Sequence, residues 1–335
     1  MEEKLKKHID LAAEKIGGKV LYATDDFFAE KENLIKEGRG IFIADKYTDR
    51  GKWMDGWESR RKRTAGHDWA IVKLGTTGRI KGFDIDTNHF LGNHPPFASV
   101  EAINLETDLE DWSKSDELEW EEVLEKSPLD PGSQHFFEIK AEKADKIYTH
   151  LRLHIYPDGG VARFRVYGEA FKNWDLVSEN QTLDLALITN CGKALACNDM
   201  FFSAMDNLIS PTSGKNMGDG WETKRNRTPN NEDWVILRLG HQGLVNKISV
   251  DTKHFKGNYP DTCAIDACDS EDDKAVIAGD VVWKPLLERQ KLEADQEHHF
   301  EANAIQKHKK ITHIKLKIYP DGGVSRLRII GNITN

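Results

Sequence analysis

Apolar residues in this chain recur mostly at every second position, which is the period of a half-buried strand. Leu151, Leu153 and Ile155 alternate with Arg152 and His154, and Phe164 and Val166 alternate with Arg163 and Arg165. Between the two runs lies Pro157-Asp158-Gly159-Gly160, so a β-hairpin is predicted. Proline fixes its own φ, aspartate can bond the turn backbone, and glycine accepts positive φ. Arg163 and Arg165 should then point away from the core. Ile314, Leu316, Ile318, Leu327 and Ile329 repeat the pattern and leave Arg326 and Arg328 outward. Further strands are expected at 41–43, 69–74, 80–87 and 100–105. A helical period occurs at the N-terminus, where Leu5, Ile9, Ala12, Ala13 and Ile16 recur at intervals of three and four. That predicts an amphipathic helix over 2–16, of about four turns, ended by Gly17-Gly18. Residues 24–40 read as an irregular approach, and the acidic stretch 106–126 as an exposed excursion.

The chain writes much of itself twice. Asp55-Gly-Trp-Glu58, followed by Arg61, Arg63 and Thr64, returns as Asp219-Gly-Trp-Glu222 with Arg225, Arg227 and Thr228. Asp68-Trp69 returns as Asp233-Trp234, and Asp86-Thr87-Asn88-His89-Phe90-Leu91-Gly92-Asn93 as Asp251-Thr252-Lys253-His254-Phe255-Lys256-Gly257-Asn258. Ile155-Tyr-Pro-Asp-Gly-Gly160 is identical to Ile318-Tyr-Pro-Asp-Gly-Gly323. The period is far longer than a solenoid repeat, so a duplicated domain is expected. The halves are placed at 1–170 and 171–335. Many short strands bounded by Gly, Pro and Asn turns imply antiparallel β-sandwiches. The fold class is therefore all-β, as two tandem sandwiches with a short N-terminal helix.

Charge narrows the partners. A net charge of −9 opposes nucleic-acid binding, which wants a basic field. No apolar run nears the roughly 18 residues of a membrane span, and no export signal is visible. Cys191, Cys197, Cys263 and Cys268 lack metal or redox spacing, which suggests reduced thiols in a cytoplasmic protein.

The repeated polar residues are the chemical candidates. Glu58 and Glu222 can carry protons, as can His89 and His254, each with an aspartate three residues earlier that could orient the imidazole. Arg61, Arg63, Arg225 and Arg227 offer forks for a carboxylate. Trp57 and Trp221 would give a floor, and Asn93 and Asn258 an amide for a urea-like group. The alternative for each carboxylate is a loop stapled by Arg–carboxylate pairs. No metal signature is present, so metal and cofactor are left unknown.

Taken together, Asp-Gly-Trp-Glu-(Ser/Thr)-x-Arg, Asp-Trp, Asp-Thr-x-His-Phe-x-Gly-Asn and Ile-Tyr-Pro-Asp-Gly-Gly, each present in both halves, resemble the allantoicase family over nearly the whole chain. The resemblance implies two jelly-roll (galactose-binding-like) sandwiches related by duplication. It also implies hydrolysis of allantoate to ureidoglycolate and urea in purine (allantoin) degradation, with allantoate as the small-molecule partner and a homo-oligomer expected. The copies differ at one suggestive place, where Gly66-His67 becomes Asn231-Glu232. The rival reading is a non-enzymatic tandem sandwich that binds a ligand at its loops, as lectins do. Recurrent Arg, Glu and His without an export signal favour the enzyme.

Overall fold

The computed structural model describes residues 1–334. It divides into two compact units, Met1–Phe171 and Lys172–Asn335.

The first unit is organised around one very long strand. Its strands are β1 (Lys19–Ala23), β2 (Asp68–Asp86), β3 (Phe97–Ile103), β4 (Glu121–Pro128), β5 (Gln134–Glu138), β6 (Tyr148–Tyr156) and β7 (Arg163–Ala170). The N-terminal part of β2 pairs with β1 and β6, and its C-terminal part with β5 and β7. β2 thus passes from one sheet to the other. One sheet runs β1-β2-β6-β3-β4, the other β5-β2-β7. All pairings are antiparallel. The inward side chains, among them Val72, Ile80, Phe83, Ile85, Leu151, Leu153, Phe164 and Val166, are fully buried in one core. This is the sandwich that the period-two pattern predicts.

The second unit repeats the scheme with β8 (Lys193–Cys197), β9 (Asp233–Asp251), β10 (Thr262–Cys268), β11 (Lys284–Lys291), β12 (Glu297–Glu301), β13 (Ile311–Tyr319) and β14 (Arg326–Ile333). β9 again joins two sheets, with β8 and β13 on its first part and β12 and β14 on its last. In the turns that join β6 to β7 and β13 to β14, Gly159 and Gly322 take φ of +134° and +135°. At Gly160 and Gly323 an added Cβ would lie inside the rings of Phe90 and Phe255.

Four local expectations need correction. The runs at 151–155 and 163–167 form no hairpin: β6 and β7 do not pair with each other but flank opposite ends of β2 in different sheets, so the turn 157–160 crosses between the sheets, and β13 and β14 repeat this on β9. The N-terminal segment is not a four-turn helix: only Glu2–Leu5 is α-helical, Ile9–Asp10 is an edge strand on β7, and Glu14–Ile16 is a 3-10 turn. A short isolated helix is marginal in water. Here Asp10 instead accepts the backbone N–H groups of Ala12 and Val166, which breaks the segment and buries Leu11. Residues 41–43 form no strand; Ile41, Phe42 and Ile43 are 56%, 47% and 42% exposed in a loop whose counterpart in the second copy is shorter. The acidic stretch is only partly an excursion, since β4 begins within it and buries Val123 and Leu124.

Candidate functional site

The antiparallel register gathers the repeated loops. Asp68 at the start of β2 faces Ile155 near the end of β6, and Phe97 at the start of β3 faces Tyr156. The loop 55–67, the loop 87–96 and the turn 157–160 therefore leave the first sandwich together. Trp57 and Glu58 form a two-residue strand against Val161 and Gly160. Alternation sends Trp57 into the core and Glu58 to the loop end. Trp57 and Trp221 are fully buried, and their Nε1 groups donate to the carbonyls of Asp25 (2.8 Å) and Asp199 (2.9 Å). They are supports beneath the loop rather than an exposed floor, because the strand's alternation turns them inward.

The loop beyond Glu58 is pinned at alternate residues. Asp25 accepts the backbone N–H of Arg60, and Asp158 that of Lys62; Asp199 and Asp321 do the same for Lys224 and Asn226. The residues between face solvent. Arg61, Arg63, Arg225 and Arg227 are exposed and make no hydrogen bond or ion pair to another described residue. In the second unit Arg225 and Arg227 line a cleft of about 640 Å³ with Lys224, Asn226, Asp199 and Asp233. Asp55 and Asp219 are staples, but to the starts of β7 and β14 instead of their own loop: Arg163 and Arg326 lie under the loops and bond their carboxylates at 2.8 and 3.0 Å. Those two arginines do point away from the apolar core, yet they are buried.

Glu58 and Asn93 meet as the repeated pattern suggests. Asn93 Nδ2 donates to Glu58 Oε1 at 2.6 Å, and Asn258 donates likewise to Glu222. Burial raises the Glu58 pKa above the usual carboxylate range, against the opposing bond from Asn93. The asparagines thus hold the glutamates. The histidines make no bond to this pair. His89 is exposed, with its ring 5.6 Å from that of Phe42, and His254 Nε2 sits 2.7 Å from the Gly214 carbonyl. Asp86 does not orient His89, as its carboxylate takes Arg39 at 2.8 and 2.9 Å and the Asn88 N–H. Both histidines adopt positive φ, 68° and 73°, so the turn itself constrains them.

A cluster that the strand pattern alone did not single out lies beside the first loop. His67 Nε2 is 2.8 Å from His154 Nδ1, and His154 Nε2 is 2.8 Å from Glu101 Oε2. Only the difference between the copies at His67 pointed to it. Among the described residues no three of His, Cys, Asp and Glu are grouped to hold a metal ion. Among the described residues no helix is long and apolar enough to cross a membrane.

The architecture defines the class: an internally duplicated β-sandwich protein that presents the same polar loops in each copy. A family model described as the allantoicase repeat matches residues 9–171 and again 183–334. The chain is 48% identical over 330 residues to a probable allantoicase of Pseudomonas fluorescens (strain SBW25), covering 98% of this chain and 97% of that protein. It is 47% identical over 327 residues to a probable allantoicase of Photobacterium profundum, covering 97% and 96%. The crystal structure of allantoicase from Saccharomyces cerevisiae superimposes with a TM-score of 0.81 at 37% identity, covering 98% of this chain and 97% of that one. The chain belongs to the allantoicase family.

Proposed function

We infer that this chain is a hydrolase acting on allantoate, releasing urea and ureidoglycolate in purine breakdown. The observation that carries the reading is the family match across both halves, including every polar loop described above. Allantoate bears a carboxylate and two ureido groups on one carbon. Hydrolysis needs an anchor for the carboxylate, a water at the carbon and a proton for the departing nitrogen. Arg61 and Arg63, or Arg225 and Arg227, supply unpaired guanidinium forks for the anchor. Glu58 and Glu222 are the proposed proton donors, held by Asn93 and Asn258; a raised Glu58 pKa increases the fraction able to donate. His89 and His254 shape the turns that deliver those asparagines. With this reading goes a homo-oligomeric cytoplasmic enzyme, which light scattering and cell fractionation would check.

The test is urea release from allantoate, with and without added divalent cation. Glu58→Gln combined with Glu222→Gln should lower kcat by about 10²- to 10⁴-fold in a folded protein. Alanine at both His89 and His254 should cost less. No urea from the unmodified protein under either condition would leave the ligand-binding sandwich as the better reading.

A further inference from the structure

The first unit contains a hydrogen-bonded chain that the second lacks. Glu101 on β3 faces Arg152 on β6 and accepts from its Nε at 2.8 Å and its Nη2 at 2.7 Å. The same Oε2 takes His154 Nε2, and His154 Nδ1 meets His67 Nε2. Burial alone would raise the Glu101 pKa, but the bonds from His154 and Arg152 hold it at about 2. An ionised carboxylate only accepts, so His154 carries its proton on Nε2. An imidazole with its single proton on Nε2 offers a lone pair at Nδ1, and in that tautomer the His67 proton sits on Nε2. His67 Nδ1 is left as a lone pair that is neither buried nor bonded to another described residue.

We propose that His67 is a catalytic base in the first unit, with His154 and Glu101 as positioning residues, and that it takes a proton from the attacking water. This rests on the allantoate hydrolase reading. The water oxygen bonds to the central carbon and loses one proton to His67 Nδ1. The C–N bond to one ureido group breaks with its electron pair on nitrogen, which takes a proton from Glu58 and departs as urea. Exchange with bulk water then deprotonates His67 and reprotonates Glu58. The two groups flank one turn, Glu58 pairing with Gly160 while the His67 ring packs 4.4 Å from that of Tyr156. His67 also faces Lys62 on its own loop, Asp68 at the start of β2, and His154 and Arg152 on β6; burial lowers its pKa below the usual 6.5, which keeps it neutral at pH 7. Tyr156 is itself held by Ser99 on β3 and covered by Lys126 on β4.

The second unit fills these places with fixed bonds. Glu232 replaces His67 and accepts from Tyr319 at 2.6 Å, and Lys317 replaces His154 and pairs with Asp266 at 2.7 Å. A lysine–aspartate pair cannot pass tautomeric order to a neighbour.

The experiment compares the full chain with His67→Gln and Glu101→Gln by urea release across pH, and reads the His67 tautomer by ¹⁵N NMR of histidine-labelled protein. His67→Gln should lower kcat by about 10²- to 10⁴-fold with little change in KM. In Glu101→Gln the acidic limb of kcat should move to lower pH, because the imidazolium has lost its carboxylate. A purely structural role would lower Tm and leave that limb in place. The NMR should show a protonated Nε2 and a bare Nδ1. Wild-type kcat in His67→Gln, an unmoved limb, or a proton on Nδ1 would each overturn the base while urea release by the unmodified protein still supports the hydrolase. No release by the unmodified protein overturns both.

Discussion

Asp84 offers a direct test of the electrostatics in the first sandwich. It is 2% exposed on β2, with Oδ2 accepting from Gln134 Nε2 at 2.6 Å and Oδ1 buried without a partner. Burial, with Asp86 nearby, raises its pKa to about 6, although Gln134 and Arg165 oppose the shift. Asp84 is therefore easier to hold protonated than ionised in the folded state. Its contribution to stability is fully present below the unfolded value of 3.8 and is lost as pH rises through about 6. A rise from 3.8 to about 6 corresponds to about 3 kcal/mol lost above pH 7. Asp84→Asn removes the charge and keeps an acceptor for Gln134, but it buries an amide N–H without an acceptor, at a cost of about 1 kcal/mol. The variant should gain about 2 kcal/mol at pH 7.5 and lose about 1 kcal/mol at pH 3.5. At 2–4 °C per kcal/mol for a unit of this size, the first-unit transition should rise by about 4–8 °C at neutral pH. Calorimetric melts from pH 3.5 to 7.5 measure this. A wild-type-minus-variant difference that stays flat across pH 4–6.5 would refute the reasoning. The second unit has Ser249 at the same place, bonded to Glu297, so the fold itself does not require the carboxylate.

Two further outcomes follow from the same geometry. Gly159→Val places a branched side chain at φ +134° with its Cβ 2.6 Å from the Asn93 carbonyl, so denaturant unfolding should show a loss of more than ~1 kcal/mol; an unchanged midpoint would contradict the turn assignment. Lys62 Nζ lies 2.6 Å from Asp68 Oδ1, whereas Asn226 leaves Asp233 Oδ2 unpartnered. Asn226→Lys should therefore stabilise the second unit by about 1 kcal/mol, as a urea titration beside the unmodified protein would show; an unchanged midpoint would contradict the pairing.

The sandwich was legible because strands buried on one side must alternate. Leu151, Leu153 and Ile155 could face only inward once Arg152 and His154 faced out. The duplication was legible because unlike residues recurred in order. What the pattern could not show was which polar residues were already occupied. Asp55 and Asp86 look alike in the sequence as acids near arginines, yet Arg163 holds one and Arg39 the other, and both partners come from other elements. The N-terminal helix failed for the same reason. Its three-and-four spacing was real, but a single aspartate bonding the β7 backbone outweighed the local preference. His154 was hidden because alternation assigned it to the outer face, where a histidine reads as solvated, while Glu101 and His67 were distant in sequence.

The copies differ in a consistent way. Both keep the framework of the loop: the buried tryptophan bonded to an aspartate carbonyl, the Asp–Arg staple to the strand after the Pro-Asp-Gly-Gly turn, the Glu–Asn pair and the positive-φ glycine. What has changed is the set of titratable groups around it: Asp84 against Ser249, Lys62 against Asn226, and His67 with His154 against Glu232 with Lys317. A framework fixes where a substrate can sit, whereas titratable groups decide what happens to protons once it is there. The same loop geometry is therefore maintained in two different proton environments. A substitution in the framework should act alike in either unit, and a substitution among the titratable groups should act according to the unit that carries it. The units are then equivalent as scaffolds and unequal as chemistry.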